Sequence, residues 1–196
     1  MNNNILVISD EIYEKIIFDN LAHTSIASFH KKIYDLTITV NGHSKSFAMT
    51  GWRIGYLGAP QDIADAISNL QDHSTSNPTS ISQKAAESAL SAPDDFVKNL
   101  CAEFQKRRDY LVSRLEKINT LTFVRPSGAF YLFCDISKTG LDSFTASTRL
   151  LDEALVATIP GGAFGKNDYL RLSFATSIEQ IEKGMNRIEE WLKKRT

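Results

Sequence analysis

The chain has 196 residues, with 22 Lys and Arg against 23 Asp and Glu, 42% hydrophobic residues, a mean hydropathy of -0.21 and a formal net charge of -1. This is the composition of a globular chain, enough for one compact domain or two small ones. It gives no basic field for nucleic acid, no apolar run long enough to span a bilayer and no leader-like order at Met1-Asn2-Asn3-Asn4, so nucleic acid and membrane are excluded as partners and a cytoplasmic location is expected.

The first element is Ile5-Leu6-Val7-Ile8, a short β-branched run that reads as a parallel-type strand buried on both faces, stopping at Ser9-Asp10-Glu11. Residues 36–40 form a second strand and 54–57 a third, with a polar loop carrying Ser44, Lys45 and Ser46 between them. Helical spacing then takes over from Gln61 until Asn77-Pro78 interrupts it, and resumes over 79–90. Past Ala92-Pro93 comes the longest amphipathic stretch, with Phe96, Val97, Leu100, Phe104, Leu111, Leu115 and Ile118 on one face. It reads as a connecting helix into a second domain, dividing the chain into 1–92 and 93–196.

The second part alternates. Strands are expected at 121–124, 131–136 and 169–175, with the turn Pro126-Ser127-Gly128 after the first and a helix from Ser143. Ser177-Ile178-Glu179-Gln180 reads as a capping box opening a final helix that buries Ile181, Met185, Ile188 and Leu192 and ends on Lys193-Lys194-Arg195. Cys101 and Cys134 form no Cys-x-x-Cys pair and read as reduced core thiols. His23, His30, His43 and His73 keep no metal-ligand spacing, so no metal is expected.

In an open α/β sheet, ligands sit beyond the carboxyl ends of the strands, which directs attention to Asp10 and Lys45. Tyr13 follows Asp10 closely, and Arg53 follows Lys45 inside Met49-Thr50-Gly51-Trp52-Arg53-Ile54-Gly55-Tyr56. Taken singly, Asp10 is a turn cap, Lys45 a solvated loop lysine, Tyr13 a core-edge phenol, and Arg53 and Arg171 surface ion-pair partners. Taken together, an acid, an amine, a phenol and a guanidinium suit an anionic aromatic cofactor with an aldehyde and a ring nitrogen.

These residues also carry a resemblance. Ser9-Asp10-Glu11-Ile12-Tyr13 and Asn41-Gly42-His43-Ser44-Lys45-Ser46-Phe47-Ala48-Met49-Thr50-Gly51-Trp52-Arg53 resemble the signature of the class I/II aminotransferases of pyridoxal-phosphate fold type I, especially the aspartate aminotransferases. Four later stretches agree in order: Ser76-Asn77-Pro78-Thr79-Ser80, Pro126-Ser127-Gly128-Ala129-Phe130-Tyr131, Ile159-Pro160-Gly161-Gly162-Ala163-Phe164-Gly165 and Arg171-Leu172-Ser173-Phe174-Ala175.

The resemblance implies an α/β fold: part of the mixed, mostly parallel sheet of the large domain, followed by an α+β small domain. It implies pyridoxal 5'-phosphate as cofactor and ping-pong Schiff-base transfer of an amino group between an amino acid and a 2-oxo acid. Lys45 would carry the imine and move the proton, Asp10 would pair with the pyridine nitrogen, and Tyr13 would hydrogen-bond the ring phenolate oxygen. Arg53, with Ser44, would grip the phosphate, and Arg171 would clamp the substrate α-carboxylate. Ser76 and Asn77 would approach the neighbouring subunit's cofactor in a homodimer.

The likeness extends only to the C-terminal half of such enzymes. The glycine-rich phosphate turn, the aromatic stacked on the pyridine ring and the asparagine contacting cofactor and substrate have no match, so a complementary N-terminal fragment is an expected partner. The position matching the arginine that reads a distal carboxylate in the enteric type is Asp72. The other large aspartate subgroup, which Asn41-Gly42 and Met49–Trp52 resemble more, keeps a basic residue for that task in the unmatched half. Two alternatives use the same residues: a lyase of the same fold, and a non-catalytic remnant or ligand-binding module.

Overall fold

In the computed structural model, which describes residues 5–194, β1 (Val7–Asp10) lies parallel to β2 (Thr37–Gly42), with Val7 opposite Thr37 and Asp10 opposite Val40. The β-branched run Thr37-Ile38-Thr39-Val40 suits the pleated backbone of β2. β3 (Gly55–Gly58) returns antiparallel to β2, giving the order β1-β2-β3. Gly42 stands opposite Gly55, and a Cβ on Gly55 would come within 2.9 Å of the Asn41 carbonyl oxygen, so the close approach of these strands requires glycine there.

The sheet pairs one parallel and one antiparallel neighbour, the mixed pairing expected of part of the larger sheet. Two expectations for this region change. β1 runs on through Ser9 and Asp10 and is not buried on both faces: Ile5, Leu6 and Ile8 are 67%, 54% and 73% exposed. Among the described residues β1 pairs with β2 alone, and the face that carries Ile8 is left uncovered. The polar segment after β2 is not a loop but a single helical turn, α2 (His43–Ser46), preceded between β1 and β2 by the equally short α1 (Lys31–Tyr34).

α3 (Gln61–Ser74), α4 (Ser80–Ser91) and α5 (Asp95–Leu115) follow. The chain separates into two compact units that part between Cys101 and Ala102, within α5. Ile16, Phe18, Met49 and Ala86 are buried in the first unit. Cys101 is half-buried rather than core, its thiol on the Ile17 carbonyl at 3.0 Å.

The second unit holds an all-antiparallel sheet, β4 (Thr122–Phe123), β5 (Tyr131–Asp135), β7 (Tyr169–Ser173) and β6 (Ile159–Pro160), in the order β4-β5-β7-β6. Alternation along β5 buries Leu132 and Cys134 and leaves Tyr131 and Phe133 on the other face. α6 (Ser143–Ala154) is capped by Asp142, whose Oδ1 accepts from the Phe144 and Thr145 amides, each at 3.0 Å.

α7 (Ile178–Lys193) is capped by Ser177 Oγ, which accepts from the Gln180 amide at 3.4 Å. Its buried stripe is Ile181, Met185, Ile188 and Trp191, the last in place of the expected Leu192. Each such side chain contributes about 1.5–3 kcal/mol on burial. The expected terminal Arg195 lies outside the described residues. No helix among the described residues is long and apolar enough to cross a membrane.

Candidate active site

Asp10 closes β1 with an exposed carboxylate whose Oδ1 accepts from the Ile12 amide at 3.1 Å. Its neighbour Glu11 turns inward, and its amide donates to the Val40 carbonyl at 2.8 Å. The Glu11 carboxylate accepts from Ser9 Oγ at 3.0 Å and Ser25 Oγ at 2.7 Å and meets His23 Nε2 at 2.8 Å. Burial works to raise its pKa, yet the hydrogen bonds from His23, Ser25 and Ser9 together hold it below the usual carboxylate range. This buried knot stiffens the turn that leads into Tyr13, which is half-buried and accepts from the Ile16 amide at its carbonyl, 2.9 Å.

From the end of β2 the chain enters α2, which carries Ser44 and Lys45, both half-buried. A 3-10 turn, Thr50–Trp52, then leads to Arg53, which sits in the left-handed region at φ 51° and donates Nη1 to the Thr50 carbonyl at 2.9 Å. Ala48 is also left-handed, φ 53°. Non-glycine residues in that region cost of order 1–3 kcal/mol each and concentrate where surrounding structure fixes a functional segment.

The parallel pairing of β1 with β2 and the antiparallel return of β3 put the carboxyl ends of β1 and β2 and the amino end of β3 at one end of the sheet. Asp10, Ser44, Lys45 and Arg53 therefore all leave the sheet from that end, with Tyr13 on the turn after Asp10. A carboxylate, a primary amine, a phenol and a guanidinium gathered there make a donor set that fits a phosphorylated pyridine aldehyde. Ser76, at φ 57°, and Asn77, whose Nδ2 donates to the Pro78 carbonyl at 3.0 Å, are not part of this sheet end; they lie on the exposed connection between α3 and α4.

His43, unremarked in the sequence beyond its lack of metal spacing, is 3% exposed, and neither ring nitrogen has a hydrogen-bond partner. It stacks on Phe47 at 5.5 Å and meets Tyr56 edge-on at 5.6 Å. Burial pushes its pKa below the ordinary value.

Arg171 lies in the second unit, mid-way along β7, opposite Phe133 of β5 and Ile159 of β6. Its Cζ lies over the Tyr131 ring at 4.3 Å and the Phe164 ring at 4.7 Å, and its Nε is buried with no hydrogen-bond partner. The Gly161–Phe164 turn delivers Phe164, and it closes only with glycine at 161: a Cβ there would stand 2.5 Å from the Tyr169 carbonyl oxygen and press on that of Lys166. Ser143 Oγ secures the turn by accepting from the Gly162 amide at 3.0 Å. Tyr131 follows the Pro126-Ser127-Gly128 turn, whose Pro126 carbonyl accepts from Nη1 of the fully buried Arg108 at 3.0 Å. Two open grooves of this unit lie elsewhere, one of about 490 Å³ lined by Arg149, Glu153, Arg187 and Trp191, the other of about 500 Å³ lined by Lys117, Lys138 and Lys193. Arg171 lines neither.

The sequence reading did not single out Glu11, Tyr131 or Phe164. Each falls inside a quoted motif, but a motif does not show which of its members turn inward or meet another ring.

Comparison with known proteins fits this geometry. The pattern of the family Aminotransferase class I and II matches residues 1–188. The aspartate aminotransferase of Bacillus sp. (strain YM-2) is 44% identical, covering 98% of this chain and 50% of that protein. The probable aspartate/prephenate aminotransferase of Aquifex aeolicus is 42% identical, again over 98% and 50%. Among solved structures, the aromatic aminotransferase of Pyrococcus horikoshii OT3 superposes with a TM-score of 0.92 at 43% identity, over 97% of this chain and 52% of that one. The aspartate aminotransferase of Rhizobium meliloti gives 0.92 at 36%, over 97% and 50%. The chain thus spans about half the length of the relatives it matches, and it belongs to the class I and II aminotransferases.

Proposed function

We propose that this chain forms the lysine-bearing part of a pyridoxal-phosphate-dependent aminotransferase that moves an amino group between an amino acid and a 2-oxo acid. The observation that carries the proposal is the departure of Asp10, Lys45 and Arg53 from one end of the first sheet. When bound, the cofactor supplies an electron sink for the carbanion left at the substrate α-carbon.

The chain's own residues do the rest. Lys45 Nζ would hold the cofactor, and its amine, when free, would be the base for the substrate α-proton. The Asp10 carboxylate would accept from a protonated ring nitrogen and stabilise that charge. Tyr13 would donate its hydroxyl to the ring oxygen, while Arg53, with Ser44, would bind phosphate through a charge-assisted fork. Arg171 binds the substrate α-carboxylate; its guanidinium is engaged by rings rather than by an acid, which leaves its charge available.

The proposal includes a cytoplasmic homodimer in which Ser76 and Asn77 approach the neighbouring subunit's cofactor, a large domain over 1–92 and a small one over 93–196, and a complementary N-terminal polypeptide that completes the site. Similarity to relatives named aspartate aminotransferases supports an aspartate-type donor.

The test is pyridoxal-phosphate binding by the purified chain, followed by visible absorbance and borohydride trapping, with Lys45→Ala beside it. A trapped adduct lost in the variant supports the assignment. An adduct that persists in Lys45→Ala overturns the role of Lys45. No adduct in a folded sample, even with the N-terminal half of a relative co-expressed, overturns the cofactor assignment.

A further inference from the structure

The arginines of the second unit differ in what they touch. Arg107 pairs with Glu103 at 2.9 Å, Arg108 and Arg125 with Asp109 at 2.7 Å each, Arg114 with Glu189 at 2.7 Å and Arg149 with Glu153 at 2.8 Å. Arg187 donates to the Leu155 carbonyl at 3.1 Å. Arg171 has neither kind of partner among the described residues; its contacts are the rings of Tyr131 and Phe164. A half-buried guanidinium over aromatic faces is attracted by the ring quadrupoles without losing a donor, since the π-face takes no N–H in the guanidinium plane. Its charge is not taken up by an acid and stays available to an incoming anion.

Those rings are themselves held. Phe164 packs edge-on to Phe133 at 6.0 Å, Phe133 stacks on Tyr169 at 4.7 Å, and Tyr131 lies 4.6 Å from Phe130, which in turn lies 5.3 Å from Phe104. The glycine-dependent turn carries the half-exposed Phe164, and the Arg108-anchored turn leads into Tyr131.

We propose that Tyr131 and Phe164 are positioning residues for Arg171: they orient its guanidinium for a planar carboxylate in place of the acidic partner that holds an ordinary buried arginine. This rests on the reading of Arg171 as the carboxylate-binding residue and adds to it the two side chains that set its affinity. A carboxylate at that position would cancel the charge the site offers; an aliphatic side chain would leave the fork free to rotate.

The experiment is an NMR titration of the full chain with a simple 2-oxo acid, pyruvate, following the Arg171 Nε–H resonance and obtaining Kd. Ring currents from Tyr131 and Phe164 shift that resonance in the unliganded wild type, and the shift is lost in Phe164→Leu. Tyr131→Leu and Phe164→Leu weaken pyruvate binding about three- to tenfold, whereas Tyr131→Phe and Phe164→Tyr, which keep the rings, bind as wild type. Leucine variants that fold and bind as wild type overturn the proposal and leave Arg171 as the carboxylate ligand. A wild type that binds pyruvate no better than Arg171→Ala overturns the underlying reading, and the inference with it. Should the leucine variants not fold, an Arg171 Nε–H without ring shift in the wild type overturns the proposal by itself.

Discussion

Ser82 of α4 donates its hydroxyl to the carbonyl of Trp52 at 2.7 Å, tying a helix to the turn that ends at Arg53. Ser82 is 3% exposed, so its loss leaves that carbonyl without its partner. Ser82→Ala is expected to cost about 1–2 kcal/mol in urea unfolding. It is also expected to weaken inorganic phosphate binding at Arg53, read by titration. An unchanged unfolding midpoint would remove this tie from the account of how Arg53 is held.

Acid lability is expected in two steps. His43, neutral and buried, has a folded-state pKa below its ordinary value of 6.5. The unfolded chain therefore takes up the proton first, and stability falls as pH drops below that value until the folded pKa is passed. Glu11 acts lower: its folded pKa lies below the ordinary 4.5, so the stability it contributes is present above that value and is lost as pH falls through the folded pKa. Thermal unfolding across pH checks both, with His43→Phe flattening the upper step and Glu11→Gln the lower one.

Gly161→Ala is expected to lose about 1–3 kcal/mol or more, because its Cβ meets backbone carbonyls that cannot swing aside. The Phe164 turn moves with it, so the loss should also appear in the Arg171 Nε–H resonance. A variant with wild-type stability and spectrum would show that the turn has room the geometry denies.

The exposed edge strand β1, with Ile5, Leu6 and Ile8 outward, predicts that the isolated chain self-associates. Ile8→Lys places a charge on that surface and should shift the protein toward monomer in size-exclusion chromatography, with little change in melting temperature because Ile8 is 73% exposed. Association that persists unchanged would direct attention to β3, which is exposed along its whole length.

Much of the fold was legible where a long period repeats. α3, α4, α5 and α7 form where helical spacing was read, and the cap at Ser177 marks one start. Short elements carried no period: β6 has two residues, and α1 and α2 four each. A continuous apolar run such as residues 5–8 signals two-sided burial only when both faces of the sheet are covered, and the Ile8 face of β1 is not. Trp191 displaced Leu192 because adjacent helical positions differ by only about 100° of rotation. At the candidate site, Asp10, Lys45 and Arg53 were legible as charged residues at strand ends. Glu11, His43, Tyr131 and Phe164 were not, since the hydrogen bonds and ring contacts that define them join segments the sequence does not show to be neighbours.

The two adjacent acids at the end of β1 show what pairing register means for chemistry. Asp10 is outward and exposed, while Glu11 is inward and committed to Ser9, Ser25 and His23. A slip of one residue against β2 would reverse every side chain. It would bury Asp10, turn Ser9 and Glu11 to solvent and leave His23 and Ser25 facing the wrong acid. The alignment of Asp10 with Val40 thus acts as a selector between two carboxylates, dedicating one to holding the chain and leaving the other exposed at the sheet end.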